Sequence, residues 1–384
     1  MKLRKNKKQA GFSMIELLVS IGVTTVILGA TLLAFKNAAN TQRGVAYSSD
    51  MNDNLRAALN LIQQDLILAG TGIPTGGIPI PNTPNSAGTC NTTAPTNRPT
   101  LTGTLTFPQC NFVLPAIEPG SALGPLITAP DATTGNPSSP NSFTDIITVM
   151  YADNALALDN DAINSTACPA GSISASGDSV TFDATPNVCQ PLGTSSANGV
   201  TINAGDLIMF SNAKGNAIQT VTSVSGQTVK FAAGDAFNLN GRSDKQGTIK
   251  QLQNTDSSGN PNGTYPPTTA TRIWMISYYL DNITDPAHVR LVRRVNFDPT
   301  PLAQLAVGET LENMQFTFNY VDGVTNPSNQ VGVPSGYSEN QIRSVNVFLG
   351  ARSNYFDQQR QRYTRVNLQT QVSLRSMAYR NRYN

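Results

Sequence analysis

The stretch that decides the fold is residues 12–35, FSMIELLVSIGVTTVILGATLLAF, which is almost wholly apolar and is followed by Lys36. At about 1.5 Å per residue, a helix over this stretch just spans the roughly 30 Å hydrocarbon core of a bilayer. Five cations precede it, and this predicts that the N-terminal leader stays in the cytoplasm. We therefore expect one membrane-spanning helix at the start of the chain.

Two residues distinguish this stretch from a secretory signal peptide or a plain signal anchor. A signal peptide has a shorter apolar core that ends at a small-residue site, whereas here the small residue, Gly11, stands in front of the apolar stretch. Glu16 lies inside it, and a lone carboxylate in lipid costs on the order of 2–3 kcal/mol or more. Such a residue is expected to have a partner and a function.

Residues 7–17, KKQAGFSMIEL, resemble the prepilin cleavage and methylation motif. In that family a membrane peptidase cuts after the glycine, and the new N-terminal phenylalanine is N-methylated. The resemblance implies removal of residues 1–11 by cleavage between Gly11 and Phe12, followed by methylation of Phe12. It also implies that Glu16 neutralises the Phe12 amine, on its own chain or on a neighbour's, within a filament core.

The helical pattern continues beyond the membrane segment, 12–36, into an amphipathic segment, 37–70. Apolar residues recur there at intervals of three and four: Met51, Leu55, Ala58, Ile62, Leu66 and Ala69. This spacing predicts one face of a helix that packs against a globular domain, with Asp65 among the polar residues of the other faces. Gly70, with Pro74 shortly after it, predicts the helix end.

The composition is typical of an exported protein with many strands and loops. Only 13% of the residues are charged. Removing the five leader cations from the 26 basic residues leaves 21, against 24 acidic residues. Residues 71–142 are rich in Pro, Gly, Thr, Asn and Ser, and they predict a long surface insertion with one short strand pattern near residues 101–107.

The four cysteines form two local couples, and neither couple has the close spacing of a zinc or redox site. An oxidising compartment would pair them. We predict the disulfides Cys90–Cys110 and Cys168–Cys189, among the three connectivities that four cysteines allow.

Residues 143–384 contain the strand patterns. They are found at residues 145–151, 180–182, 206–210, 218–224, 227–231, 272–280, 288–295, 314–320, 342–349 and 365–375. In the last of these, Val366, Leu368, Thr370, Val372 and Leu374 alternate with polar residues. The sequence thus predicts an α+β, type IV pilin-like fold: a long N-terminal α-helix, with a transmembrane first half, packed on an antiparallel β-rich domain with long loop insertions.

The order of these strand segments extends the resemblance. The segments GDLIMFSNA, RIWMISYYLDN, HVRLVRRV, LENMQFTFNYVDG, IRSVNVFLGARS and RVNLQTQVSLRSM resemble the PilW-type minor pilins, and also the related J-type pseudopilins of type II secretion. The resemblance implies a minor pilin in type IV pilus assembly. A J-type pseudopilin is the first alternative, and a tip adhesin or ligand-binding module that uses the 71–142 insertion is the second.

The same resemblance implies the location and partners of the chain. The anchor would lie in the bacterial inner membrane, with the head in the periplasm, before the protein enters the pilus at the cell surface. Its partners would be the prepilin peptidase, other minor and major pilins, the inner-membrane assembly platform and membrane lipid. Nucleic acid is not expected, because the C-terminal arginines are better explained as a strand face that meets acidic neighbours in the filament.

The sequence contains no catalytic constellation, so we predict neither an enzyme nor a cofactor or metal site. The one histidine, His288, stands beside Val289 without a visible nucleophile or metal partner. Asp153, Asp159 and Asp161 lack EF-hand spacing and are expected in a solvated loop. No phosphate-binding glycine pattern opens a helix.

Overall fold

The computed structural model describes eleven stretches of the 384-residue chain. They are residues 13–81, 100–102, 105–106, 113–127, 143–153, 171–182, 202–235, 239–241, 247–296, 304–357 and 361–380. All statements about the fold refer to these residues.

A single α-helix, α1 (Met14–Leu68), forms the N-terminal part of the molecule. Its 55 residues correspond to a length of about 83 Å. The helix is continuous through Gly22, Gly29 and Gly44, so these glycines do not interrupt it. It ends at Leu68, shortly before Gly70, whose φ of 79° lies in the region that favours glycine. Glycine is also needed at residue 72, because a Cβ there would lie 2.4 Å from the Ala152 side chain.

The head is built from strands, as expected for the fold class. In chain order they are β1 (Ile78–Pro79), β2 (Thr100–Thr102), β3 (Leu105–Thr106), β4 (Val113–Leu114), β5 (Ile117–Gly120), β6 (Ile146–Ala152), β7 (Ser172–Ile173), β8 (Ser179–Thr181), β9 (Leu207–Asn212), β10 (Gly215–Thr220), β11 (Ser223–Ser225), β12 (Thr228–Lys230), β13 (Thr269–Asp281), β14 (Arg290–Val295), β15 (Gln304–Glu309), β16 (Leu311–Tyr320), β17 (Ile342–Asp357) and β18 (Arg362–Ser373). A short helix, α2 (Arg375–Arg380), follows.

Two antiparallel sheets make up most of the head. The larger has seven strands. Five of them follow the order β10-β9-β13-β14-β15, β6 also pairs with β13, and β5 pairs with β6. The long strand β13 joins its two parts, because it pairs with β9 near its start and with β6 and β14 further along. The second sheet has three strands in the order β16-β17-β18. A smaller four-stranded sheet, β11-β12-β8-β7, lies between β6 and β13 in the sequence.

The second half of α1 packs on the head through the predicted apolar stripe. Met51, Leu55, Ala58, Ile62, Leu66 and Ala69 are all buried, and they share one core cluster with the inner face of the β16-β17-β18 sheet. That inner face includes Phe316, Val345, Val347 and Leu349. Full burial of one Leu or Ile side chain contributes about 1.5–3 kcal/mol, so this stripe holds the helix firmly to the head.

The two ends of segment 71–142 belong to the head. Ile78 and Leu114 are buried where β1 pairs with β4, and Ile117 is buried where β5 joins β6. The sequence predicts a surface insertion over the whole segment. The paired strands at its two ends were missed because prolines and glycines obscure their pattern. The short strand pattern near residues 101–107 corresponds to β2 and β3, which pair with each other. The remainder of the segment lies outside the described residues.

Candidate assembly site on the N-terminal helix

The first turn of α1 is closed by a capping box. The Ser13 backbone N–H donates to Glu16 Oε2 over 3.0 Å, and the Ile15 N–H donates to Ser13 Oγ over 3.4 Å. These bonds satisfy backbone donors that a helix start leaves unpaired. They also turn the Glu16 carboxylate towards the N-terminal end of the helix, where the positive end of the helix dipole stabilises a negative charge.

Among the residues that the structure describes, the first half of α1 is not packed on the head and presents its apolar side chains outward. Met14 is 88% exposed and Phe35 is 72% exposed. The other large apolar residues exposed in this half are Ile15, Leu17, Leu18, Val19, Ile21, Val23, Val26, Ile27, Leu28, Leu32 and Leu33. An apolar surface of this extent on a monomer marks a region covered by lipid or by other proteins.

The hydroxyl groups of this half are compatible with an apolar environment. Thr24 donates to the carbonyl of Ser20, Thr25 to that of Ile21, and Thr31 to that of Ile27, over 2.5–2.7 Å. Bonds of this kind satisfy the hydroxyls within the helix itself, as an environment without water requires. Of the described helices, α1 alone is long and apolar enough to cross a membrane. Its apolar 18-residue segment has a mean hydropathy of 2.2, and none of that segment is buried.

The head holds α1 through a buried carboxylate, Asp65. Two tyrosines donate to it, Tyr151 over 2.9 Å and Tyr278 over 2.5 Å. Arg293 binds it with both Nε, at 2.8 Å, and Nη2, at 3.1 Å. Asp65 is only 4% exposed, so this geometry compensates for taking a charge out of water. The cluster joins the helix to β6, β13 and β14.

The electrostatics of the cluster follow from its burial. Burial, and then the negative charge of Asp65, raise the pKa of Tyr151 and of Tyr278 above that of ordinary tyrosine. Burial opposes the charge of Arg293, but its bonds to Asp65 raise the pKa of the guanidinium further above its usual range. The two phenols therefore remain protonated donors and Arg293 remains a cation. The arrangement is suited to hydrogen bonding and charge pairing.

Asp65 is predicted on one of the polar faces of the helix, but in the structure it is buried. The stripe positions 51, 55, 58 and 62 are three or four residues apart, and residue 65 continues the same series towards residue 69. Asp65 therefore lies on the buried face beside Leu66. The signal was present in the spacing, but a charged side chain is rarely buried without partners. Those partners come from strands more than 80 residues away.

Other predicted residues are placed as follows. Gly11, Phe12, Cys90, Cys110, Cys168 and Cys189 lie outside the described residues. His288 is half-exposed, and its Nδ1 lies 2.8 Å from Asp285 Oδ2. Asp153 is buried and accepts hydrogen bonds from Arg272, so the prediction of a solvated loop at this residue is wrong.

The C-terminal arginines are partly used inside the head. Arg365 Nε lies 2.6 Å from Glu312 Oε2, and Arg352 Nε lies 3.3 Å from Glu312 Oε1. The acidic neighbour of these two arginines therefore belongs to the same chain. The guanidinium carbon of Arg352 also lies over the Tyr363 ring, 4.7 Å from the ring centre, in a cation–π contact.

Comparison with known proteins identifies the N-terminal signal. Residues 6–32 match the prokaryotic N-terminal methylation motif. No curated protein and no solved structure matches the chain significantly. The motif is that of type IV pilin-like prepilins, and with the exposed apolar half of α1 it supports a membrane-anchored, type IV pilin- or pseudopilin-like protein. It implies processing by a prepilin peptidase and interaction with other pilins, and it suggests a structural protein rather than an enzyme.

Proposed function

We propose that this protein is a minor pilin of the PilW type that takes part in type IV pilus assembly, enters or primes the filament and lies near its tip. One observation carries the proposal: the prepilin-type motif opens a helix whose first half is exposed and apolar, whereas one face of its second half is buried against the head. The exposed half is the part that a membrane holds before assembly and that other pilins cover afterwards.

In this proposal the peptidase cuts between Gly11 and Phe12, and Phe12 is then methylated. The orientation of Glu16 supports a pairing with the resulting amine, because its carboxylate already points to the start of the helix and bonds the Ser13 N–H. A pair formed with a neighbouring chain would neutralise two charges in the filament core and would set the stagger between subunits.

The processing is tested by mass spectrometry of the mature N-terminus, in cells with and without the prepilin peptidase. We expect an N-methylated Phe12 that depends on the peptidase. An intact Met1, or cleavage beyond Phe35, would contradict the proposal.

The type II pseudopilin alternative is separated by deleting the gene. Loss of surface pili with normal protein secretion supports a minor pilin. Normal piliation with a secretion defect supports the J-type pseudopilin instead, and in either case the peptidase-dependent N-terminus is retained.

A further inference from the structure

The outer face of the β16-β17-β18 sheet, which lies opposite the face that packs on α1, consists mainly of uncharged polar side chains, of which Asn313 and Ser344 are buried. The strand register aligns four rows across the three strands. The rows are Asn313, Gly350 and Asn367; Gln315, Phe348 and Gln369; Thr317, Asn346 and Gln371; and Asn319, Ser344 and Ser373. We call these twelve positions the amide face. None of their side chains carries a charge.

We propose that the amide face binds a neutral glycan, a function distinct from assembly. Side-chain amides offer donors and an acceptor on one planar group, and hydroxyls offer both on one atom. A surface rich in both is complementary to the hydroxyl groups of a sugar chain. Charged polymers gain nothing from it, because none of its twelve positions supplies a counter-charge.

The single aromatic residue of the face, Phe348, lies in the second row on the central strand, β17. Phe348 is partly exposed and has Gln315 and Gln369 as its neighbours on the adjacent strands. At Gly350, two residues along β17, a Cβ would lie 3.7 Å from Phe348 Cε1 and 3.0 Å from Asn367 Oδ1. The missing side chain therefore lets the ring and the amide lie low over the sheet. The ring of Phe348 suits the apolar face of a sugar, and the amides of Gln315 and Gln369 on either side of it suit the hydroxyl groups around that face.

A second exposed aromatic residue lies beside the same row. Gln315 Nε2 donates to the carbonyl of Phe143 over 3.0 Å, and Phe143 is 55% exposed. Phe143 is therefore a second exposed aromatic residue close to Gln315, which pairs with Phe348 across the strands.

Several amides of the face are held in place by one another. Asn346 Nδ2 donates to Thr317 Oγ1 over 3.0 Å, and Asn319 Nδ2 and Gln371 Nε2 donate to Ser344 Oγ over 2.8 and 3.2 Å. Binding a ligand to such a preorganised array requires less loss of side-chain entropy. Because the three strands provide four rows, the face is about 20 Å long and about 10 Å wide, and these dimensions fit an extended chain.

A protein partner fits the face less well. The centres of protein interfaces are enriched in aromatic residues, Met and Arg, whereas these twelve positions contain one aromatic residue and otherwise amides, hydroxyls and glycine. Beyond the first row, Glu312 with Arg365 bounds the face by a salt bridge within the chain.

The test uses the full-length protein in detergent on an array of immobilised neutral and acidic oligosaccharides. We expect binding to neutral glycans, with an affinity that Phe348→Ala and Gln369→Ala each lower about tenfold. Gln369 is exposed, so its substitution is not expected to impair folding. Phe348→Tyr and Gln64→Ala, which changes an exposed amide on α1, should leave the affinity within about twofold.

Three results would overturn the proposal: no binding to any neutral glycan, a preference for acidic glycans, or binding that neither Phe348→Ala nor Gln369→Ala weakens. If the protein binds no glycan but Phe348→Ala lowers its recovery in filaments, the occupant of the face is another subunit. The assay uses isolated protein, so its outcome is independent of the proposed role in assembly.

Discussion

At the scale of single residues, Asp65 is the charge on which the attachment of the helix depends. The substitution Asp65→Asn keeps the shape but removes the negative charge that compensates the buried Arg293. We expect the free energy of unfolding to fall by about 3–5 kcal/mol, since the arginine is left buried and unpaired with a carboxylate. Urea unfolding of the detergent-solubilised protein, followed by circular dichroism, measures this change.

Asp53→Asn is the matched control, because Asp53 lies on the same helix and is exposed. Its effect should remain within about 0.5 kcal/mol. Equal losses for the two variants would show that the Asp65 cluster contributes nothing beyond a surface charge.

The two tyrosines of this cluster predict how stability changes at high pH. Their pKa values are raised in the folded protein by burial and by the charge of Asp65. The folded state therefore keeps phenolic protons that unfolded tyrosine loses near pH 10, so their stabilisation is fully present below about pH 10 and is lost as the pH rises further. For each tyrosine the loss is up to about 1.4 kcal/mol per pH unit.

Unfolding at about pH 9 and about pH 11 tests this coupling. The wild-type protein should lose more stability over this interval than the Tyr278→Phe variant, which has no phenolic proton to keep. Tyr47→Phe, at a residue that is 38% exposed, serves as the control and should behave like the wild type. Identical slopes for wild type and Tyr278→Phe would refute the coupling.

Residue-level prediction can rest on the sequence alone where the interactions are local. Glu16 is recognisable as exceptional because it stands alone in an apolar stretch, and its capping bonds involve only its own helical turn. The burial of Asp65 depends on Tyr151, Tyr278 and Arg293, which the chain brings together only on folding. The sequence spacing shows the position of Asp65 on the helix. It does not show the partners whose hydrogen bonds and charge compensate for the free-energy cost of burying it.

At the scale of elements, the two halves of α1 have different roles although they form one helix. Ile62 is fully buried in the core, and Ile27 in the first half is 60% exposed. Ile62→Ala should lower the free energy of unfolding of the head by about 2–5 kcal/mol, because it removes buried methyl groups and leaves a cavity.

The same substitution at Ile27 provides the control and should leave head unfolding unchanged within about 0.5 kcal/mol. Thermal unfolding of both variants in the same detergent compares them. A similar loss at both positions would mean that the first half of the helix also packs on the head.

The strands with a clear apolar pattern are predicted well. The run at residues 272–280, which is apolar on both faces, corresponds to β13 (Thr269–Asp281), and the alternating pattern at residues 365–375 corresponds to β18 (Arg362–Ser373). By contrast β5, with the sequence IEPG, contains residues that disfavour strands and is extended because it pairs with β6. Pairing of this kind depends on tertiary context, which explains why the sequence did not indicate it.

At the scale of the whole molecule, the requirements for folding and for assembly lie in different places. The head and the apolar stripe on the second half of α1 form the buried core, and the motif lies at the other end of the helix. Substitutions in one region should therefore leave the other function intact, provided that the first half of α1 acts in the filament.

This separation gives a prediction for Glu16, whose carboxylate is exposed and contacts only its own helical turn among the described residues. Glu16→Gln removes the charge that we propose neutralises the Phe12 amine of the mature chain. We expect the variant to be processed and to unfold like the wild type, while its recovery in sheared filaments falls at least about tenfold, since the amine then remains a buried, uncompensated charge.

Immunoblots of the sheared filament and membrane fractions measure this recovery, and Asp50→Asn, at an exposed acid on the same helix, is the matched control. The Asp65→Asn variant should show the reverse pattern, with lowered stability and, where the head still folds, an unaltered N-terminal motif. Normal incorporation of Glu16→Gln would show that the amine is neutralised by another group. A loss of stability equal to that of Asp65→Asn would show instead that the two regions fold as one unit, because a residue outside the core would then contribute to it.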